Sequence, residues 1–116
     1  MRKFQSHTLG IEQGSIVLFS DYQHDGVMWT GKGAREFRHV VSFDNPFSTP
    51  PMVQVGVSMF DFDRDTNQRA DISAELITRE GFAIVFRTWG DTRVARIRAD
   101  WIAFGDVPNE DDWDVD

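Results

Sequence analysis

The 116-residue sequence contains no cysteine, which excludes disulfide bonds, thiolate metal sites and a cysteine nucleophile. No apolar run approaches the ~20 residues that a membrane-spanning helix needs, and no apolar stretch follows the two basic residues near the start, as a secretory signal requires. We therefore expect a cytoplasmic protein that does not insert into membranes, unless cell lysis or an export route outside the secretory pathway releases it.

Basic residues are also scarce, since 12 Lys and Arg stand against 19 Asp and Glu and give a net charge of −7. This balance argues against nucleic-acid binding, which needs a basic surface. Six of the acidic residues lie within residues 106–116, where no basic residue occurs. A run of like charge repels itself and stays solvated. The sequence thus predicts one domain over residues 1–105 and an acidic, flexible tail over residues 106–116.

Alternation of apolar and polar residues is abundant, and it is the pattern of a strand with one buried face. Turn-forming residues such as Glu80-Gly81 separate the alternating segments. A further short strand is predicted over residues 16–19, in an N-terminal third interrupted by glycines, and no segment shows helical periodicity. The fold class predicted is therefore all-β, a single antiparallel sandwich domain. The alternating segments are residues 35–43, 52–60, 70–78, 82–88 and 94–104.

The sequence shows no arrangement typical of catalysis. No nucleophile elbow or phosphate-binding glycine loop is present, so we expect that the protein is not an enzyme and uses no cofactor. The three histidines lack the spacing of metal ligands. They are His7, His24 and His39.

The segment from Asp61 to Asn67 begins like a calcium-binding loop. Thr66 stands where such a loop needs glycine, however, and Ile72 stands where it needs a bidentate glutamate. The spacing therefore fails as an EF-hand. An irregular calcium site at Asp61–Asp65 stays open at this point, beside the simpler interpretation of a polar loop.

Arg69 and the segment Trp89-Gly90-Asp91 indicate a different chemistry. Sugar recognition combines an aromatic surface, which packs on the apolar face of the ring, with planar groups that donate several hydrogen bonds to its hydroxyls. Both features fall at predicted strand ends beside loops, where binding residues are commonly mounted. A tryptophan that only packs, and an arginine that is only a loop charge, are the alternatives.

A series of short motifs between Val40 and Phe104 strengthens the sugar-binding interpretation. They are Val41-Ser-Phe43, Pro46-Phe47, Pro50-Pro51-Met-Val53, Ser58, Asp61, Asn67-Gln-Arg69, Gly81-Phe82, Thr88-Trp89-Gly-Asp-Thr92 and Trp101-Ile102-Ala103. Their order and spacing resemble an H-type lectin domain, as found in snail agglutinins and in the C-terminal part of slime-mould discoidins. The resemblance implies a six-stranded antiparallel β-sandwich that forms homotrimers. It also implies galactose- or N-acetylgalactosamine-type sugars held near the seam between protomers.

The same resemblance implies which residues bind the sugar. Arg69 falls at the sugar-contacting arginine, Trp89 at the aromatic residue that packs on the ring, and Gly90 at the next contact position, with Asp91 as a further loop contact. Lys32 falls where a neighbouring chain contributes an acidic loop residue. A lysine donates hydrogen bonds but accepts none, so it favours an acidic sugar. The snail proteins also carry histidine at the position of Gly90.

A second function remains open, and it belongs to a different class. A trimer could keep the fold and lose the sugar pocket, as in a structural or adhesion component of a phage-like particle. That alternative is consistent with the absence of a signal peptide and with the changed residues Lys32 and Gly90. Loss of glycan binding in Arg69→Ala, with the oligomeric state unchanged, separates the two.

Overall fold

The protein, described by a computed structural model over residues 1–5 and 8–108, folds as a sandwich of two three-stranded antiparallel sheets. The strand orders are β1-β6-β3 and β2-β5-β4, so β6 and β5 are the central strands. This architecture confirms the predicted all-β fold class. His7 and residues 109–116, most of the predicted acidic tail, lie outside the described residues. The strands are β1 (Leu9–Phe19), β2 (Arg35–Ser42), β3 (Met52–Phe62), β4 (Asp71–Glu75), β5 (Gly81–Thr88) and β6 (Val94–Asp106).

The core lies between the two sheets and is rich in aromatic side chains. The rings of Phe82 and Trp101 pack edge to face with their centroids 5.3 Å apart, and those of Phe19 and Phe86 are 5.5 Å apart. These side chains come from the inner faces of facing sheets, as the alternation predicts. Trp101 is therefore a core residue. Aromatic pairs of this kind contribute about 0.5–1.5 kcal/mol beyond the area they bury.

β1 is longer than the predicted strand over residues 16–19, because it pairs with β6 from Leu9 onward. Glycines do not interrupt it, since they make room for side chains of the partner segment. A Cβ on Gly14 would lie 2.6 Å from the indole nitrogen of Trp101, and one on Gly10 would collide with Val107. Glycine at these two positions indicates close approach rather than a break in the strand.

The connection between β1 and β2 contains two helical segments that alternation did not predict. They are a 3₁₀ turn over Asp21–Gln23 and one helical turn, α1, over Val27–Thr30. An Asp21 carboxylate oxygen accepts a hydrogen bond from the Met28 amide at 2.9 Å, which ties the two segments together. Neither segment approaches the length needed to cross a membrane, and no other helix occurs in the described part of the chain.

Two further strand ends differ from the prediction over residues 70–78 and 94–104. β4 stops at Glu75 because Leu76 has a φ of +53°, in the left-handed region that β-strands do not use. β6 continues to Asp106, the first residue of the segment predicted as a tail.

Candidate functional site

Three connections meet at one end of the sandwich, and all the predicted site residues lie on them. They are the β1–β2 connection (residues 20–34), the β3–β4 connection (63–70) and the β5–β6 turn (89–93). The Gly33 amide donates a hydrogen bond to the Gly90 carbonyl at 2.8 Å, which joins the first connection to the last. A rigid sheet thus presents three loops side by side.

Two buried threonines hold the β3–β4 connection against the β5–β6 turn. The Thr88 hydroxyl donates to the Arg69 carbonyl at 2.5 Å, and the Thr92 hydroxyl donates to the Asn67 carbonyl at 2.6 Å. The Arg69 amide donates back to the Thr92 hydroxyl at 3.1 Å. Arg69 is therefore positioned through its own backbone, which leaves its guanidinium available to the surface.

The Arg69 guanidinium lies beside the Asp91 carboxylate, with NH1 and Oδ1 4.0 Å apart. Asn67 donates its side-chain amide to Asp91 Oδ1 at 3.1 Å and its backbone amide to Oδ2 at 3.4 Å. The hydrogen bond from the Asn67 side chain is the largest cause that lowers the pKa of Asp91, so the carboxylate stays an acceptor. Gly90, which precedes Asp91 in the chain, has a φ of +69°, a conformation that favours glycine.

Trp89 presents its indole at the surface beside this pair. It is 44% exposed, which is unusual for a large apolar side chain next to a buried strand. A shallow depression of about 280 Å³ opens next to the ring. Its lining residues are Ala34, Arg35, Glu36, Arg87, Thr88 and Trp89.

Arg35 organises the loops from beneath. The residue is only 7% exposed, and its guanidinium donates to four backbone carbonyls. Nε bonds Gly33 at 3.0 Å, NH1 bonds Met28 at 3.1 Å and Val27 at 3.4 Å, and NH2 bonds Gly90 at 3.3 Å. Burial lowers the pKa of Arg35 below its ordinary value. One side chain thus ties α1, the loop before β2 and the β5–β6 turn together.

The predicted site residues are brought together to different degrees. Trp89, Gly90 and Asp91 are consecutive, and Arg69 reaches Asp91 through space. Lys32 is exposed and lies on the loop that Gly33 binds to Gly90. Lys32 is therefore near the others through its backbone, in the same chain.

Comparison with known proteins identifies the family. The sequence model of the H-type lectin domain matches residues 38–104, more than half of the chain. The chain belongs to the H-type lectin domain family. The solved structure of wild-type discoidin II from Dictyostelium discoideum has the same fold, with a TM-score of 0.73 and 25% identity over 85% of this chain and 37% of that one.

Two relatives differ in how much of their length this lectin domain spans. It is 40% identical to one of the discoidin-1 polypeptides of Dictyostelium discoideum over 64% of this chain and only 30% of that protein. It is 55% identical to ATP synthase subunits region ORF 7 of Fuscovulum blasticum over 94% of this chain and 95% of that protein. The chain thus spans about a third of the discoidins and nearly all of the second relative.

The acidic segment Asp61–Asp65 of this lectin domain pairs with arginines. Asp61 accepts from Arg96 at 3.0 Å and Asp63 accepts from Arg93 at 2.8 Å. Within residues 1–5 and 8–108, no group of three or more metal-binding side chains is found. Two carboxylates of the segment that resembles a calcium loop therefore pair with cations, one with Arg93 at the end of the β5–β6 turn and one with Arg96 in β6.

The positioning roles of Arg35, Thr88 and Thr92 were not predicted from the sequence. One signal for Arg35 was readable, because it lies in phase with the inward positions Phe37 and Val41 of β2. A cation in an apolar register requires a special partner. The carbonyls that serve as partners come from loops far apart in the chain, and no local pattern identifies them.

Proposed function

We propose that this H-type lectin domain binds galactose- or N-acetylgalactosamine-type sugars, or related glycans, at the site formed by Arg69, Trp89, Gly90, Asp91 and Lys32. The observation that carries the proposal is the Arg69–Asp91 pair beside the half-exposed indole of Trp89. A sugar hydroxyl both donates and accepts hydrogen bonds. It finds an acceptor in the carboxylate and a planar donor in the guanidinium, while the indole covers the apolar side of the ring.

We further propose that the domain works as a homotrimer. Support comes from three apolar side chains at one end of the outer side of the β1-β6-β3 sheet, a patch that we call the apolar face. Ile11, Phe104 and Met52 lie side by side there across the three strands, and Ile11 is 63% exposed. Apolar side chains clustered in this way mark surfaces that pack against a partner. Three weak sites in one assembly would then bind a glycan surface through avidity.

Glycan binding by the purified full chain tests the sugar proposal, with Arg69→Ala and Trp89→Ala as site variants. Each is expected to weaken binding by at least about 30-fold, the scale of a truncated binding hot spot. Arg64→Ala is the matched control, because Arg64 is an exposed arginine of the same β3–β4 connection. It should leave binding within about twofold of the wild type. Unchanged affinity in Arg69→Ala would contradict the proposal.

A structural or adhesion component is the second candidate, and the apolar face favours it because assembly does not depend on the sugar site. Sedimentation of the same variants separates the two functions. A trimer that keeps its mass in Arg69→Ala but loses glycan binding supports the lectin. A trimer that binds no glycan as wild type supports the structural function, such as a part of a phage-like particle.

A further inference from the structure

The three connections at the site end, together with Arg35 below them, carry five aspartates and five cations, but not every cation has a carboxylate partner. Arg35 lies beneath Gly90, while Lys32 and Arg69 lie on the loops around it. Asp91 is the acidic residue among them. Within the described residues, neither Lys32 nor Arg35 forms an ion pair, and the hydrogen bonds of Arg35 all go to carbonyl oxygens. Arg69 has Asp91 beside it, so the cations near Gly90 that lack a carboxylate partner in the described part of the chain are Lys32 and Arg35.

Neighbouring charges at the rim pair with one another rather than with Lys32 or Arg35. Arg87 and Glu36 line the depression beside Trp89, but Arg87 pairs with Glu36 at 3.0 Å and with Glu75 at 2.8 Å. Glu36 also accepts from Arg38 at 2.9 Å. These groups cancel one another within the charged cluster of the β2-β5-β4 sheet. They leave the charges of Lys32 and Arg35 unpaired.

Burial strengthens the electrostatic field of Arg35 at the site. A buried cation is normally paired with a carboxylate, because its loss of hydration is costly. The carbonyl dipoles around Arg35 satisfy its hydrogen bonds without cancelling its charge. Because Arg35 is only 7% exposed, its field is screened less than that of an exposed arginine.

We infer that the saccharide taken by this site carries a carboxylate, as in a uronic or sialic acid. The inference rests on the proposed function and adds the ligand's charge to it. The carboxylate would approach the exposed Lys32, whose ammonium donates to an anion but accepts nothing from a neutral hydroxyl. Arg35 would act through its field, and Arg69 through the donor geometry already described.

Calorimetric titration of galactose and galacturonic acid tests this inference, because the two sugars differ only at C6. The wild type should bind galacturonic acid about two- to fivefold more tightly in 20 mM NaCl, the size expected for an exposed ion pair. The difference should shrink in 300 mM salt, where surface charges are screened. N-acetylneuraminic acid provides a second acidic ligand.

Lys32→Glu should abolish or invert this preference, because it replaces the ammonium that the sugar carboxylate would approach by a second carboxylate. Lys3→Glu is the matched control, since Lys3 is the other lysine of the chain and lies near Phe4, which packs on Phe104 at the opposite end of the sandwich. Equal or weaker binding of the acid, or a preference that Lys32→Glu leaves intact, overturns the inference and leaves the proposed function standing. Failure to bind any sugar overturns the proposed function itself.

Discussion

The outer sides of the two sheets differ in the side chains that they expose to solvent. On the β2-β5-β4 sheet, two glutamates and two arginines form a closed ring of ion pairs, which we call the charged face. Glu36 bonds Arg38 at 2.9 Å and Arg87 at 3.0 Å. Glu75 bonds Arg87 at 2.8 Å and Arg38 at 3.4 Å. Each member of the ring therefore has two partners within it, and Arg87 also lies 3.8 Å from Asp71.

The charged face also covers apolar surface of its own. Val85 points outward by alternation, yet it is 0% exposed. The register places Arg38 directly opposite Val85 on one side and Ser73 on the other. Because arginine stems are apolar, the ring lies over Val85 while its charged ends stay in water. The ring therefore buries Val85 without a partner chain.

The apolar face has no such cover over most of its width. The N-terminal segment reaches Phe104 through the ring of Phe4, with centroids 6.1 Å apart, but Ile11 and Met52 remain exposed. The comparison shows that the two sheets differ in how far side chains of the same chain cover their outer sides. The ring of ion pairs is closed within one chain, whereas a partner would stabilise the apolar face, which is why our proposal places the contact between protomers there.

Ile11→Asp on the apolar face is expected to have the largest effect. Burying an isoleucine contributes about 2 kcal/mol, so three copies in a trimer contribute roughly 6 kcal/mol. Trimer association should weaken by more than about a thousandfold. Sedimentation at micromolar concentration should then detect monomers.

Val40→Asp is the matched control on the opposite side of the sandwich. Val40 is β-branched like Ile11 and is 72% exposed, and it lies on the outer side of the β2-β5-β4 sheet. The trimer should persist in this variant. A wild type that sediments as a monomer, or a trimer lost equally in both variants, would contradict the assignment of the interface.

Val85→Ala should have the next largest effect, on stability rather than assembly. Removing two buried methyl groups beneath the ion pairs should lower the free energy of unfolding by about 1–3 kcal/mol. Val40→Ala on the same side of the sheet should change it by less than about 0.5 kcal/mol, since Val40 is exposed. Urea unfolding at one fixed protomer concentration measures both, because trimer formation shifts apparent stability. Equal losses would show that the ring does not bury Val85.

Val85 illustrates how far sequence alternation predicts this fold. The pattern located β2, β3, β5 and β6 to within about two residues, because each has one face in the core. It classified Val85 as outward-facing and gave no reason to expect its burial. The cover comes from long side chains of a neighbouring strand. Alternation within one strand carries no information about them.

Some residues of the candidate site could be predicted from their sequence neighbours, whereas the roles of others depend on residues far away in the chain. Motif order identified Arg69 and Trp89, because their neighbours along the chain form part of the pattern. Their sugar-binding roles stay a prediction. The positions of Gly14 and Arg35 could not be interpreted locally, since one accommodates the side chain of Trp101 and the other joins three loops. Such functions exist only once the chain has folded.

Glu75→Gln should have the smallest effect, and its pH dependence tests whether the ring is closed. The hydrogen bond from Arg87, followed by that from Ser73, lowers the pKa of Glu75 from 4.5 to about 2 in the folded protein. A lowered pKa means that the charged carboxylate favours folding. This contribution is complete above pH 4.5, declines as the pH falls, and is lost below about pH 2.

The free energies of unfolding of wild type and Glu75→Gln should therefore differ most near neutral pH and converge in acid. Glu80→Gln removes the same charge outside the ring and separates the effect of the ring from that of net charge. High salt should reduce the difference only in part, since half-buried pairs are screened less than exposed ones. A difference independent of pH would mean that Glu75 contributes to the charged face through its shape alone, and that the ring is not held by charge.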